Sequence, residues 1–193
     1  MKSSTFILAA SVALVSAEVP QELCHKFLLT KVQELLQIDN RFQILDPVFG
    51  LLGNAAAQAG AGEVVNLDCL HQITADEAFT NALTIEDDDL RLAGLAHALL
   101  FRGIERNTGQ VGLKSVLCTE VAVNIEIAAI TQHQDPASED AQEINKQIVL
   151  SLAVELAKLG IDPTLSLLTG TFLPGDVSVY ILQTILNSPA DKP

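Results

Sequence analysis

Val121-Ala122-Val123-Asn124-Ile125-Glu126-Ile127 is the stretch whose reading decides the fold class. Val121, Val123, Ile125 and Ile127 alternate with Ala122, Asn124 and Glu126, the period of two expected of a half-buried strand. The wider segment 111–131 fits two helices equally well, 112–120 and 125–132, with Asn124 as the cap between them. The rest of the chain decides between the two. A lone strand leaves its backbone N–H and C=O groups unpaired, and no second convincing strand is present to pair with it. The helical reading makes the chain all-α: a single irregular bundle of short helices around an aliphatic core.

The flanking segments carry the helical period. Leu23, Phe27, Leu28, Val32, Leu35 and Leu36 recur at spacings of three and four, which predicts an amphipathic helix from about Gln21 to Asp39-Asn40. Asp46-Pro47 begins a second helix that runs to the stop at Gly60-Ala61-Gly62. Residues 63–72 read as a weak helix. Thr74-Ala75-Asp76-Glu77 has the form of a capping box, with a short helix following from Ala75 to about Leu83. Thr84 then caps a longer helix with Glu86-Asp87-Asp88-Asp89 in its first turn, where carboxylates favour the positive end of the helix dipole. Leu92, Leu95, Leu99 and Ile104 form its core face, widened by Leu100 and Phe101, and Arg102, Arg106, Asn107 and Gly109 close it. After a turn at Asp135-Pro136-Ala137, Ser138 caps a helix with Ile144, Ile148, Leu152, Leu156 and Leu159 on one face, ended by Gly160. Pro163 starts a short turn, 169–175 is a loop, and 176–187 is a final apolar segment.

The N-terminus predicts export. Lys2 is followed by an apolar run from Phe6 to Val15 and by the small residues of Val15-Ser16-Ala17, the order of a cleavable secretory signal. The run is about half the roughly 20 residues needed to span a bilayer. Cleavage after residue 17 leaves residues 18–193, 176 residues, as one helical domain. No apolar C-terminal tail suggests a lipid anchor, and no Asn-x-Ser/Thr sequon occurs. Hydrophobic residues are 49% and aromatics only 4%, with no Trp, so the core must be aliphatic. The net charge of −13 disfavours binding to nucleic acid or anionic lipid.

Cys24, Cys69 and Cys118 follow the signal. An oxidising compartment pairs two of them, and all three pairings are open. A bridge between neighbours closes a loop of about 45 residues and contributes roughly 2–4 kcal/mol. The odd thiol is either buried or reserved for a bond between chains. Glu22-Leu23-Cys24-His25 and Asp68-Cys69-Leu70-His71 each place a carboxylate three residues before a His, the spacing of di-iron bundles. Glu105, Glu126 and Glu155 would have to complete such a metal site, and nothing singles them out. The competing reading makes both segments element ends joined by a Cys24–Cys69 bridge. Glu86-Asp87-Asp88-Asp89 lacks the alternating ligands and central Gly of a calcium loop. No Gly-x-Ser-x-Gly elbow occurs. His97 reads as a packed or surface helix residue and His133 as a surface turn residue. No catalytic, cofactor-binding or metal residue is assigned, and no cofactor is expected.

Glu105-Arg106-Asn107-Thr108-Gly109, Val116-Leu117-Cys118-Thr119, Asn124 to Ile130, Gln132 to Ser138, Asp162-Pro163 and Gly170 to Gly175 together resemble a family of small secreted proteins of filamentous ascomycete fungi with no assigned activity. The likeness spans about residues 97–175. It supplies no functional residues; export, acidity, small size and the lack of a catalytic constellation lead to the expectation of a non-enzymatic protein of the fungal cell wall or extracellular space. Relatives continue into a Cys-containing tail, whereas residues 176–193 hold no Cys. The partner expected is a cell-wall component, a host protein or an apolar ligand. For the last, the wide apolar faces of 90–101, 111–130 and 177–186 would enclose a lipid as a carrier does.

Overall fold

The computed structural model describes residues 25–170. The predicted export signal, Glu22, Cys24, the start of the first predicted helix and the final apolar segment lie outside the described residues. Among the described residues every regular element is helical. They are α1 (Lys26–Leu36), α2 (Val48–Leu51), α3 (Asn54–Ala57), α4 (Leu70–Leu83), α5 (Asp88–Gly103), α6 (Ile125–Ala128) and α7 (Ala141–Lys158), with 3-10 turns at Leu67–Cys69 and Pro163–Thr169.

The all-α reading holds, and α5 is the hub of the bundle: it packs on α4, α1 and α7. Leu28, Val32 and Leu35 of α1, Ala78 and Phe79 of α4, Leu95, Leu99 and Phe101 of α5, and Ile148, Leu152 and Leu156 of α7 form one buried cluster. Each fully buried Leu or Phe in it contributes about 1.5–3 kcal/mol over its exposed state. Gly94 lets α5 approach α4 closely, since a Cβ there would stand 2.9 Å from that of Ala82. A second cluster of Leu36, Ile44, Ala57, Ala61, Val64 and Leu70 sits under α2 and α3. Phe27 does not join the core as its spacing predicts; it is exposed, as is Leu92.

Several predicted boundaries move, each for a local reason. The second helix is not continuous to Gly60, because the chain is extended at Leu52 and Gly53 between α2 and α3. Asp46 does start α2, its carboxylate accepting from Val48 N at 2.8 Å. Thr74 is not a cap. α4 begins at Leu70, directly after the 3-10 turn, and the Thr74 hydroxyl donates to Leu70 O inside it. Thr84 ends α4 by donating to Asn81 O, and Asp87 caps α5 by accepting from Leu90 N. Ser138 donates to Asp135 O rather than capping α7, which follows Asp140 in a left-handed conformation. Gly160 ends α7 at φ +72°.

The deciding stretch is helical only over Ile125–Ala128, and 112–120 forms no helix. The alternation does not mark a buried strand face. Val121, Val123 and Ile125 are 90%, 76% and 78% exposed, and Ile127 alone reaches the core. Residues 104–140 are otherwise irregular and lie across the helices, held there by buried polar side chains. Asp76 of α4 accepts from Val123 N at 2.6 Å and Asn124 N at 2.9 Å. Gln72 donates to Glu120 O at 2.8 Å. Arg102 donates to Gln132 Oε1 and Gln72 Oε1, and Gln132 donates to Val116 O. Asn145 of α7 exchanges two bonds with the backbone of Gln134. A segment without its own ladder must satisfy its N–H and C=O groups from outside, and these residues supply the partners.

Candidate binding cleft

One cysteine pairing is realised: Cys69 with Cys118, 49 residues apart, S–S 2.02 Å. A cysteine forms one such bond, so the alternatives through Cys24 fall away, including the Cys24–Cys69 bridge. The bridge ties the 3-10 turn before α4 to the irregular segment. Beside it, Gly53 and Asn54, Asp68, residues 106–109 and residues 113–116 line an open cleft of about 270 Å³.

Arg106 is the buried member of this cleft, only 3% exposed. Its Nε donates to Leu52 O at 3.1 Å and its Nη2 to Asn54 Oδ1. Nη1 forms an ion pair with Asp68 Oδ1 at 3.6 Å. The Asn54 amide donates to the same Asp68 oxygen at 2.8 Å, which fixes the carboxylate in place. Burial lowers the Arg106 pKa, and Asp68 partly opposes the shift. Asn107 N donates to Leu51 O at 2.8 Å, so the 106–107 backbone is seated on the end of α2. Exposed Lys114 completes the lining. The hydroxyls here are engaged: Thr108 donates to Gln110 O, and Ser115 lies 3.4 Å from Gln134 Oε1. Among the described residues neither His nor Cys lines the cleft. Arg106, Asp68 and Asn54 form a network bonded within itself, and Lys114 is the exposed charge beside it.

The residues singled out by sequence go elsewhere. Asp68 faces the cleft, but His71, three residues on, turns into the core. His71 Nε2 donates to Phe101 O at 2.8 Å and the ring meets Phe101 edge-on at 4.8 Å. Glu105 is buried, and Glu155 pairs with Lys158 at 2.7 Å. Among the described residues no three His, Cys, Asp or Glu side chains are placed to share a metal. Asp88 of the acidic run pairs with Arg91 at the start of α5. His97 is half-buried, as its setting suggests. His133 is not a surface residue: it is fully buried, its Nδ1 donating to Thr169 O at 2.7 Å. Burial pushes its pKa down to about 4 and holds that of His71 well below the usual value.

Among the described residues the apolar faces cited for a carrier take other roles, and 177–186 lies outside them. Leu95, Leu99, Leu100 and Phe101 pack in the common core, while Leu90 and most aliphatics of 111–125 face solvent. Two open depressions along α7, of about 320 and 340 Å³, mix Ile148, Leu150 and Val154 with Gln147 and the carboxylates Glu143 and Glu155. No helix of the described residues is long and apolar enough to cross a membrane.

Arg106 and Lys114 were missed by sequence reading. Arg102 and Arg106 look like the basic end of α5, yet both are buried. The available signal was their setting, Leu99-Leu100-Phe101-Arg102-Gly103-Ile104, where a solvated charge has little room. The chain matches no protein-family model, no curated protein and no solved structure.

Proposed function

We propose that this chain is an exported, non-enzymatic protein of the fungal cell wall or extracellular space, working there through binding. The Cys69–Cys118 bridge carries the reading, since such bonds persist in oxidising compartments and are rare where thiols are kept reduced. The N-terminal charge, apolar run and small residues fit it. So does the use of buried polar groups. His71, His133, Asp76 and Arg102 are bonded to main chain or amides, an arrangement that supports structure rather than proton transfer. The test is recovery of the protein from the source organism. A chain starting at Glu18 in the medium or wall fraction, with one intramolecular disulfide by intact mass, is expected. Full-length chain in the cytosol with reduced thiols overturns the reading.

A further inference from the structure

We propose that residues 113–117 form a protease-inhibitory loop, which presents Lys114 to the primary pocket of a trypsin-like serine protease and re-forms the Lys114–Ser115 bond after attack. Such a partner deepens the binding role proposed above.

The backbone comes first. A partner that reads an extended peptide pairs with its main chain, so a loop that fits must keep those groups free. Residues 113–119 have no regular structure. Among the described residues the N–H and C=O groups of Leu113, Lys114 and Ser115 take part in no hydrogen bond. Leu113, Lys114, Val116 and Leu117 are all exposed. Charge agrees with this. Residues 107–119 hold Lys114 and no Asp or Glu, in a chain with 24 acidic residues. A trypsin-like protease carries a carboxylate in its primary pocket, and Lys114 is complementary to it. The other described cations lie in helices, are buried as Arg106 is, or are gripped as Arg41 is by Glu77.

An exposed cation on a loose loop makes a substrate, and this loop is held. Before Lys114, Gly112 turns the chain at φ +84° and its N–H donates to Asp135 Oδ2. After it, Ser115 is buried, with its hydroxyl 3.4 Å from Gln132 Nε2 and from Gln134 Oε1. Val116 O accepts from Gln132 at 2.9 Å, and Cys118 is tied to Cys69. A loop fixed this way loses little entropy on binding. The protease serine oxygen adds to the Lys114 carbonyl carbon. The C–N bond then breaks, leaving Lys114 as an ester on that serine and Ser115 as an amine that has taken the proton from the catalytic His. Because Ser115 stays in place, its amine re-attacks the ester, the proton returns through the His, and the serine hydroxyl is released. Forward and reverse steps consume nothing, so the complex persists.

The experiment is a steady-state inhibition assay of the full chain, oxidised, against trypsin with a chromogenic arginine amide, followed by mass analysis of the chain after long incubation. Competitive inhibition is expected, with nicking confined to Lys114–Ser115 and stopping at a fixed ratio of intact to nicked chain. Lys114→Arg should inhibit equally. Lys114→Ala should weaken inhibition by about thirtyfold or more, the loss of a central anchor side chain. Cys69→Ser with Cys118→Ser should convert the loop to a substrate cleaved to completion. The two Lys114 variants, at an exposed position, decide the matter should the cysteine variant misfold. Absent inhibition, complete cleavage of the oxidised chain at 114–115, faster cleavage at another cation within residues 25–170, or undiminished inhibition by Lys114→Ala each overturn the proposal. The assay is indifferent to where the protein acts, so its failure leaves the export reading standing.

Discussion

Acidification from pH 7 to pH 4 should unload a specific part of this protein's stability through His133. The ring is fully buried and neutral, with Nδ1–H on Thr169 O. Burial is the main cause of its lowered pKa, which falls from 6.5 to about 4, and the nearby His25 adds to the shift. The unfolded chain therefore binds a proton at this site across a window where the folded chain does not. Its contribution is fully present above pH 6.5 and is lost as pH falls toward 4. The linkage gives about 2 kcal/mol lost by pH 5 and about 3 by pH 4. Carboxylates titrate in the same range, so a difference measurement is needed. His133→Asn places an amide donor near the position of Nδ1 and does not titrate. Urea unfolding of both proteins at half-unit steps from pH 7.5 to 4 should give curves that converge by about 3 kcal/mol toward the acid end. Parallel curves would refute the reasoning, because His133 would then carry the same proton affinity folded and unfolded.

Cys69→Ser with Cys118→Ser should lower stability by about 4 kcal/mol, the loop-entropy value for a separation of 49 residues, read as a shift in urea midpoint. Gly62→Ala should lower it by about 1–3 kcal/mol, visible in a thermal melt. The residue sits at φ +60° and a Cβ would stand 2.2 Å from Phe42 O. Leu152→Ala, fully buried between α7 and α5, should lose about 2–5 kcal/mol. Val121→Ala, 90% exposed, should stay within about 0.5 kcal/mol by the same assay.

What could be read from sequence was what aliphatic burial writes locally. The three-and-four spacing found α1, α5 and α7 because Val32, Leu99 and Leu152 are each fully buried in the common core. It failed wherever a polar residue is buried, because the partner is remote in sequence. Glu77 looks like the acid of a capping box, but it is a buried anion gripped by Arg41, 36 residues away, at 2.6 Å. Asp76 looks like a first-turn carboxylate and instead holds Val123 and Asn124. His133 looks solvated among Gln132, Gln134 and Asp135, and all four are buried. The cleft stayed hidden for the same reason. Arg106 meets Leu52 and Asn54 across more than 50 positions, and no local pattern encodes that meeting.

The irregular segment draped over the helices has a consequence for the order of assembly. Its anchors are Asp76, Gln72 and Arg106, with sequence separations of 47, 48 and 54 in their bonds to Val123, Glu120 and Leu52. Closing such loops is entropically unfavourable until the surface they meet has formed. Residues 104–124 therefore settle after α4 and α5 have docked, and mutations that loosen them should speed unfolding more than they slow folding. Oxidation of Cys69 with Cys118 closes the sequence, a latch that engages once the helices beneath it are in place.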